Sequence, residues 1–514
     1  MMTDPRSART RLDRRRLLQL AAGVPAALSL AACTDTSDVA SQAEQTAPSV
    51  DFKIPANDGL PVGETKLRWV DSGDQKAEFF KPFFDEYRKV HGNVGVDYQG
   101  TNWNTIQQQV TLGLRNGTAP DVFQLPPSVT LAQAVENKWV GAFDDIVPDW
   151  RAVRSRFPAG TFANGVTDFD GKSYGAPVSS ATFSNLLLYN EDLVAKAGHD
   201  FSKIVSWDVF RTALRDVTKQ GDGKYYGIIM GLTQPGQLSG SISTLAQMAG
   251  VAGGIGGIDW RTGEYTYTHP IAEEAVELFL AINSDGSLFP GSTSIDAPGA
   301  RGRFPQGVAA VILQGPWNIR PWTKADPNFP LALNIPPQRD PDAIQPIGYG
   351  PGGSNRYVYS SLTKAAPYIG DVWSYLLSER GQQAWAVLDG PADPAILPSS
   401  FDQVKLPELE QRSVEINKEH LVLTPWPGVR NPDVETVERV LKPLQPSFSD
   451  VCVGLLTGQL TGVRQQLKSL QDRADRALDE AIATARKRGA DVSRDDYVFS
   501  DWDPATSYDK LYRS

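Results

Sequence analysis

Trp317 is the residue whose type and position most directly suggest ligand binding. It follows an unbroken apolar run from Val308 to Leu313 that is rich in β-branched residues. Such a run predicts a central strand buried on both faces. Gly315 and Pro316 cannot continue the strand, so they place the indole at a sheet edge, where ligands of open α/β proteins bind. The indole could stack on a ligand there, or it could cover the core beneath a loop.

Residues that could support catalysis or bind a metal do not form a recognisable constellation. The four histidines, at positions 91, 199, 269 and 420, are scattered and show no metal-ligand spacing. Gly171-Lys172-Ser173 resembles the end of a phosphate-binding loop, but its first glycine would fall at Val166. Asp and Glu are abundant, so the sequence leaves a catalytic carboxylate pair open, although charged side chains usually form solvated faces. We expect no metal, no cofactor and a function other than catalysis.

The composition indicates a large globular protein that does not bind nucleic acid. The chain has 514 residues, of which 41% are hydrophobic and 21% charged, and its formal net charge is -10. This length allows two or more hydrophobic cores. An acidic chain lacks the basic surface that DNA or RNA binding needs.

Five short segments in register resemble the bacterial extracellular solute-binding proteins of the maltose-binding type, the cargo receptors of ABC importers. The most specific reads F-x-x-G-x-A-A-x-x-x-x-G-P-W and ends at Trp317. The other four occur in the same order along the chain and comprise residues 117–124, 170–177, 188–193 and 206–210. Each is weak alone, but together they are specific.

The resemblance implies an α/β fold with the two lobes of a periplasmic binding protein, joined by hinge crossings. We expect these crossings near Ser179–Thr182, Ile347–Gly350 and Leu397–Ser399. Lobe I would comprise 64–180 plus 348–398, and lobe II 181–347 plus 399–489. In lobe I the sequence itself predicts a βαβαβ unit from Thr65 to Leu125. The aromatic residues of 490–514 suggest a C-terminal extension that packs on the body.

The implied function is to bind a small solute, most simply a sugar or oligosaccharide, and to deliver it to ABC permease subunits by hinge closure as a monomer. Ten positions match ligand contacts of the family and are expected to contact the solute: Ser72, Asp74, Gln124, Ser128, Thr182, Phe183, Gln234, Gln237, Trp317 and Trp426. Tyr349 beside the second crossing is added on its position alone. Segment 178–183 lacks a carboxylate that some maltodextrin binders carry there, which argues against maltose. A peptide or polyol cargo, or a surface glycosidase, are the alternatives.

The N-terminus is predicted to be a targeting signal rather than part of the folded protein. Residues 1–32 contain the twin-arginine-like run Arg14-Arg15-Arg16 and an apolar stretch, and they resemble a lipoprotein signal peptide ending before Cys33. Cys33 would carry the lipid that holds the protein to the outer face of the cell membrane, and residues 33–63 would form a tether. The other cysteine, Cys452, lies in an apolar helical segment and is predicted to be a buried thiol.

Overall fold

The first strands and helices form a parallel βαβαβ unit. The computed structural model describes residues 50–73, 75–402 and 404–512, so the signal peptide, Cys33 and Asp74 lie outside the described residues. The unit comprises β1 (Thr65–Asp71), α1 (Lys76–Val90), β2 (Val94–Gly100), α2 (Trp103–Asn116) and β3 (Val122–Gln124). β1 pairs in parallel with β2 on one side and with β3 on the other, which confirms the predicted unit.

The helix α1 supplies the aromatic core of the first lobe. Phe79, Phe83 and Tyr87 recur at i, i+4 and i+8, so they lie on one face of the helix. All three are fully buried, and Phe80 and Phe84 extend the same face. The helix continues through Pro82, which is exposed. This face packs α1 onto the sheet, where Phe80 contacts the Trp69 ring at a centroid distance of 5.0 Å.

The first sheet has five strands, in the order β2, β1, β3, β14 (Ser354–Tyr359) and β6 (Ala176–Ser179). The chain that follows β3 adds α3 (Leu131–Glu136), α4 (Trp150–Arg154), β4 (Asp168–Phe169), β5 (Lys172–Ser173) and β6 (Ala176–Ser179). β4 and β5 form a hairpin whose turn residues, Asp170 and Gly171, both have positive φ, as the Asp-Gly pair predicts.

The second sheet has four strands in the order β12-β7-β11-β8. Its β11 (Ala309–Gln314) is buried along its whole length between an antiparallel and a parallel neighbour, so the prediction of a central buried strand is confirmed. The elements of this part of the chain are β7 (Leu186–Asn190), α5 (Glu191–Lys196), α6 (Trp207–Gly221), β8 (Tyr226–Ile228), α7 (Gln237–Met248), β9 (Ile258–Asp259), β10 (Glu264–Tyr265), α8 (Pro270–Ser284), α9 (Ala297–Arg303), β11, α10 (Ile319–Ala325) and β12 (Leu331–Asn334).

The chain passes between the two sheets more than once. It leaves the first sheet after β6, and it returns through β13 (Ile347–Tyr349) to β14 (Ser354–Tyr359), an antiparallel neighbour of both β3 and β6. It continues with α11 (Ala366–Leu376), α12 (Glu379–Leu388), α13 (Glu408–His420) and β15 (Leu421–Leu423). The sequence predicts one helix over 371–388, but the structure has two helices there. The first ends before Leu377, and the Ser378 hydroxyl caps α12 by accepting a hydrogen bond from Gly381 N at 3.1 Å.

The C-terminal helices form a layer on the second lobe. They are α14 (Pro427–Arg430), α15 (Val434–Val440), α16 (Phe448–Leu456) and α17 (Val463–Lys487). Cys452 in α16 is buried, and the pKa of its thiol is raised by burial, as expected for a core cysteine. In the C-terminal extension, Phe499 and Trp502 are buried against α15 and α17.

The end of the predicted tether packs against the first lobe. Phe52 is buried among the rings of Phe79 and Phe83, at centroid distances of 5.6 and 5.5 Å. Its carbonyl accepts a hydrogen bond from the Tyr375 hydroxyl at 2.7 Å. Residues from about 50 onward are therefore part of the folded body rather than of a tether. Among the described residues, no helix is both long enough and apolar enough to cross a membrane.

Candidate ligand-binding cleft

A cavity of about 580 Å³ lies between the two sheets and is lined by both. This volume is within the range of small-molecule sites. Its walls combine polar side chains with the rings of Trp103, Trp317 and Tyr349. The cavity therefore offers aromatic surface and many hydrogen-bonding groups together.

The Trp317 side chain is held in this cavity by the turn that ends β11. Gly315 is extended (φ −81°, ψ 174°), and residues 316–318 form a single 3₁₀ turn. The Asn318 side-chain amide donates to Gly315 O at 3.0 Å and closes the turn. The indole lies directly over Gly315: a Cβ on that residue would be 2.1 Å from the ring. The ring is therefore fixed by the backbone beneath it, and it is half-buried with a face toward the cavity.

Two amide side chains of the second lobe lie in the same wall. Gln314, the last residue of β11, donates through Nε2 to the Gln237 side-chain oxygen at the start of α7. Both amides line the cavity, as does Gln234 in the loop before α7. An amide held by another amide keeps one orientation, which suits recognition of a hydroxyl group.

The first lobe contributes a connected polar network at the floor of the cavity. Ser72 N donates to Gln124 Oε1 at 2.8 Å, and Gln124 Nε2 donates to Asn355 Oδ1 at 3.1 Å. Asn355 Nδ2 then donates to Asp393 Oδ1, and Lys76 Nζ lies 3.0 Å from Asp393 Oδ2. The Lys76 and Asp393 side chains are only 6% and 8% exposed, yet both line the cavity. The network joins β1, β3, β14, α1 and the loop after α12.

Buried carboxyl groups surround this floor. Asp389 is fully buried, and neither of its oxygens has a hydrogen-bond partner. Burial, and next the charge of Asp393, raise the pKa of Asp389 well above its ordinary value. Burial also raises the pKa of Asp71, although Lys76 and hydrogen bonds from Gly73, Tyr357 and Tyr98 oppose this. In the described part of the chain, no group of three or more His, Cys, Asp or Glu side chains could hold a metal ion.

Six of the predicted contact residues line the cavity: Ser72, Thr182, Gln234, Gln237, Trp317 and Tyr349. Gln124 lies one layer below, where it supports Ser72 and Asn355. Ser128 lies on the surface and binds the Gln107 side chain at 2.6 Å. Asp74 is outside the described residues.

Two further predicted contacts lie away from the cavity lining. Phe183 is 1% exposed and belongs to the core of the second lobe, whereas its neighbour Thr182 lines the cavity. Trp426 packs against Trp260 at 6.2 Å, and its indole nitrogen donates to Asn164 O at 2.9 Å. Trp426 therefore joins the two lobes in this structure.

The lining also includes residues that sequence reasoning did not select, chiefly Lys76, Trp103, Gln314, Asn355 and Asp393. Residues 350–353 before Asn355 include two glycines with positive φ, a signal that the chain turns sharply there. For Lys76 and Asp393 no local signal exists.

Residues Gly171 to Gly175 have the G-x-S-x-G spacing of a hydrolase nucleophile turn, but the structure excludes that role. Ser173 lies in the β4–β5 hairpin and not between a strand and a helix. It is fully buried, and its hydroxyl lies 3.2 Å from the Arg154 guanidinium. The serine is a structural residue.

Comparisons with known proteins agree with this architecture. The profile of the bacterial extracellular solute-binding proteins matches residues 73–383. The diacetylchitobiose binding protein DasA of Streptomyces coelicolor is 29% identical over 178 residues, which are 33% of this chain and 35% of DasA. The match thus spans about a third of the length of that relative.

Solved structures share the fold over most of the chain. An ABC substrate-binding protein from Listeria monocytogenes, in complex with cycloalternan, is 18% identical with a TM-score of 0.57, covering 81% of this chain and 99% of that one. A solute-binding protein from Thermotoga lettingae, bound to α-D-tagatose, is 15% identical with a TM-score of 0.60, covering 81% and 100%. The chain therefore belongs to the bacterial extracellular solute-binding protein family, has its two-lobed α/β fold, and is a binding protein rather than an enzyme.

Proposed function

We propose that this protein binds a sugar or short oligosaccharide in the cleft and delivers it to the permease of an ABC importer. The observation that carries the proposal is the cavity wall, where the fixed indole of Trp317 stands beside oriented amide side chains. A pyranose ring has apolar faces that stack on an indole, and hydroxyls at its rim that need fixed polar partners.

The relatives support the choice of a carbohydrate. The similar proteins bind diacetylchitobiose, cycloalternan and tagatose, which are all sugars. We infer that Ser72, Thr182, Gln234, Gln237, Trp317 and Tyr349 contact the cargo, because they face the same cavity.

A thermal-shift screen tests this proposal. Maltose, raffinose and N,N′-diacetylchitobiose are compared with sorbitol and a tripeptide mixture, and hits are titrated by calorimetry. We expect at least one sugar to raise the melting temperature and to bind with one site per chain. A shift produced only by the polyol or the peptides would contradict a carbohydrate cargo.

Delivery to a permease requires that the lobes close on the cargo. The segments after β6, around β13 and after α12 connect the two sheets and serve as the hinge in this proposal. Small-angle scattering should therefore give a smaller radius of gyration with saturating sugar than without it. Identical curves would mean a rigid binder.

We further propose that a lipid on Cys33 holds the mature protein at the membrane. The support is the signal-like sequence that precedes this residue. In cell fractionation, the wild type should stay with the membrane, whereas the variant Cys33→Ala should not. Wild-type protein found wholly in the medium would contradict the anchor.

A further inference from the structure

The floor of the cavity holds a buried ion pair that neither the sequence motifs nor the family match identifies. Lys76 Nζ and Asp393 Oδ2 are 3.0 Å apart, with side chains 6% and 8% exposed. Removing two charges from water is costly, and such a pair is weak evidence for stability by itself. Because the pair also lines the cavity between the two sheets, its position suits a role in binding.

The Asp393 carboxylate is oriented before any cargo arrives. One oxygen accepts from Lys76 and the other from the Asn355 amide, which in turn is held by Gln124. The backbone carbonyl of Asp393 accepts a hydrogen bond from the indole nitrogen of Trp385 at 2.7 Å. Trp385 is fully buried, so this anchor lies in the rigid core of the first lobe. A group fixed in this way loses little entropy on binding.

We propose that the Asp393 carboxylate is the principal hydroxyl acceptor of the cleft and binds two adjacent hydroxyls of one sugar ring. This inference rests on the proposed function. An ionised carboxylate has about four lone-pair sites, and two are occupied here, one on each oxygen. Two neighbouring hydroxyls of a pyranose can donate to the two remaining sites. Lys76 is the positioning residue that keeps a positive charge beside the carboxylate.

The same floor constrains the shape of the cargo. The two remaining lone-pair sites lie one on each oxygen of a single carboxylate, so they match hydroxyls on adjacent ring carbons. We therefore assign the cleft to a sugar ring that keeps two adjacent free hydroxyls.

The test compares Asp393→Asn with the double variant Lys76→Met/Asp393→Asn, which removes both charges of the pair. The probe is whichever of maltose, raffinose and N,N′-diacetylchitobiose binds the wild type most tightly, together with its monodeoxy derivatives. The matched control is Arg211→Met/Asp285→Asn, which removes the 2.6 Å Arg211–Asp285 ion pair outside the cavity. Melting temperatures of all variants are measured in parallel.

We expect affinity for the probe to fall about thirtyfold in both Asp393 variants, as for a lost hydrogen bond to a charged group. Binding by the control should not change. The deoxy derivative that lacks the contacted hydroxyl should bind the wild type weakly, but should bind the Asp393 variants as well as the probe does. This loss of discrimination is a coupling that a purely structural role would not produce.

Each other outcome is decisive. Wild-type affinity in folded Asp393 variants would overturn the inference while leaving the proposed function intact. A loss that is equal for the probe and for every deoxy derivative would assign the pair a structural role, and would also overturn it. If none of the three sugars binds the wild type, the proposed function itself fails.

Discussion

The contact between Gly315 and Trp317 allows the aromatic wall of the cleft to be displaced by one methyl group. A Cβ on Gly315 would lie 2.1, 2.2 and 2.5 Å from three atoms of the indole ring. The backbone at Gly315 is extended, so alanine is accommodated without strain in φ or ψ. In Gly315→Ala the ring must therefore move by about 1.5 Å to restore an ordinary contact distance.

The magnitude follows from that displacement. A gap of 0.5–1 Å already costs about a quarter to a half of a dispersion contact. Complete loss of the stacking face, in Trp317→Ala, should weaken sugar binding by about 2 kcal/mol, or about thirtyfold. Gly315→Ala should then cost about 1–2 kcal/mol of binding free energy. The free energy of unfolding should fall by only about 1 kcal/mol, because the ring can swing into the cavity.

Calorimetric titration and thermal melts decide the matter. Gly350→Ala is the matched control, because Gly350 also lines the cavity but a Cβ there meets no atom within 4 Å. In the Trp317→Ala background, Gly315→Ala should have no further effect on affinity. If Gly315→Ala binds sugar as the wild type does, or if the two losses add, the indole is not the stacking surface and the reasoning fails.

Three further predictions concern buried charges. The pKa of Asp389 is raised in the folded state, so the free energy of unfolding falls as the pH rises above about 4, where the unfolded chain ionises first. Asp389→Asn should therefore raise the melting temperature at pH 8 but hardly at pH 4. Burial raises the pKa of Glu438 from 4.5 to about 7, so Glu438→Gln should stabilise by up to about 3 kcal/mol above pH 7, and calorimetry showing no gain would contradict it. Arg439 contacts Asp170 and Glu136 across the lobes at 2.9 and 3.4 Å, so Arg439→Met should enlarge the radius of gyration of the unliganded protein.

Features carried by short segments could be read from the sequence. The strand β11 is an uninterrupted apolar run closed by Gly-Pro, and its environment in the sheet follows from that pattern. The parallel βαβαβ unit follows from alternating periodicities, and its crossovers have one allowed hand. The family motif that ends at Trp317 identified the fold and placed that residue, whose indole the structure locates in the cavity wall.

Two of the predicted ligand contacts show where prediction from local sequence fails. Thr182 lines the cavity, whereas Phe183 is buried in the core of the second lobe. The two residues lie between β6 and β7 in a segment without regular structure, so no periodicity of the sequence predicts which side each one takes. Trp426 is an aromatic residue in a loop, as a sugar contact could be. Only its packing on Trp260 and its hydrogen bond to Asn164 show that it joins the lobes instead.

The floor of the cleft was decided by tertiary structure alone. Lys76 and Asp393 are 317 residues apart, and Gln124 and Asn355 are 231 apart. In the sequence, Lys76 is one of many charged residues near the start of an amphipathic helix, and a lysine there is ordinarily solvated. Asp393 lies between prolines in a loop with no motif. The two meet because the first sheet brings β1, β3 and β14 side by side, and such long-range pairing leaves no trace in local residue spacing.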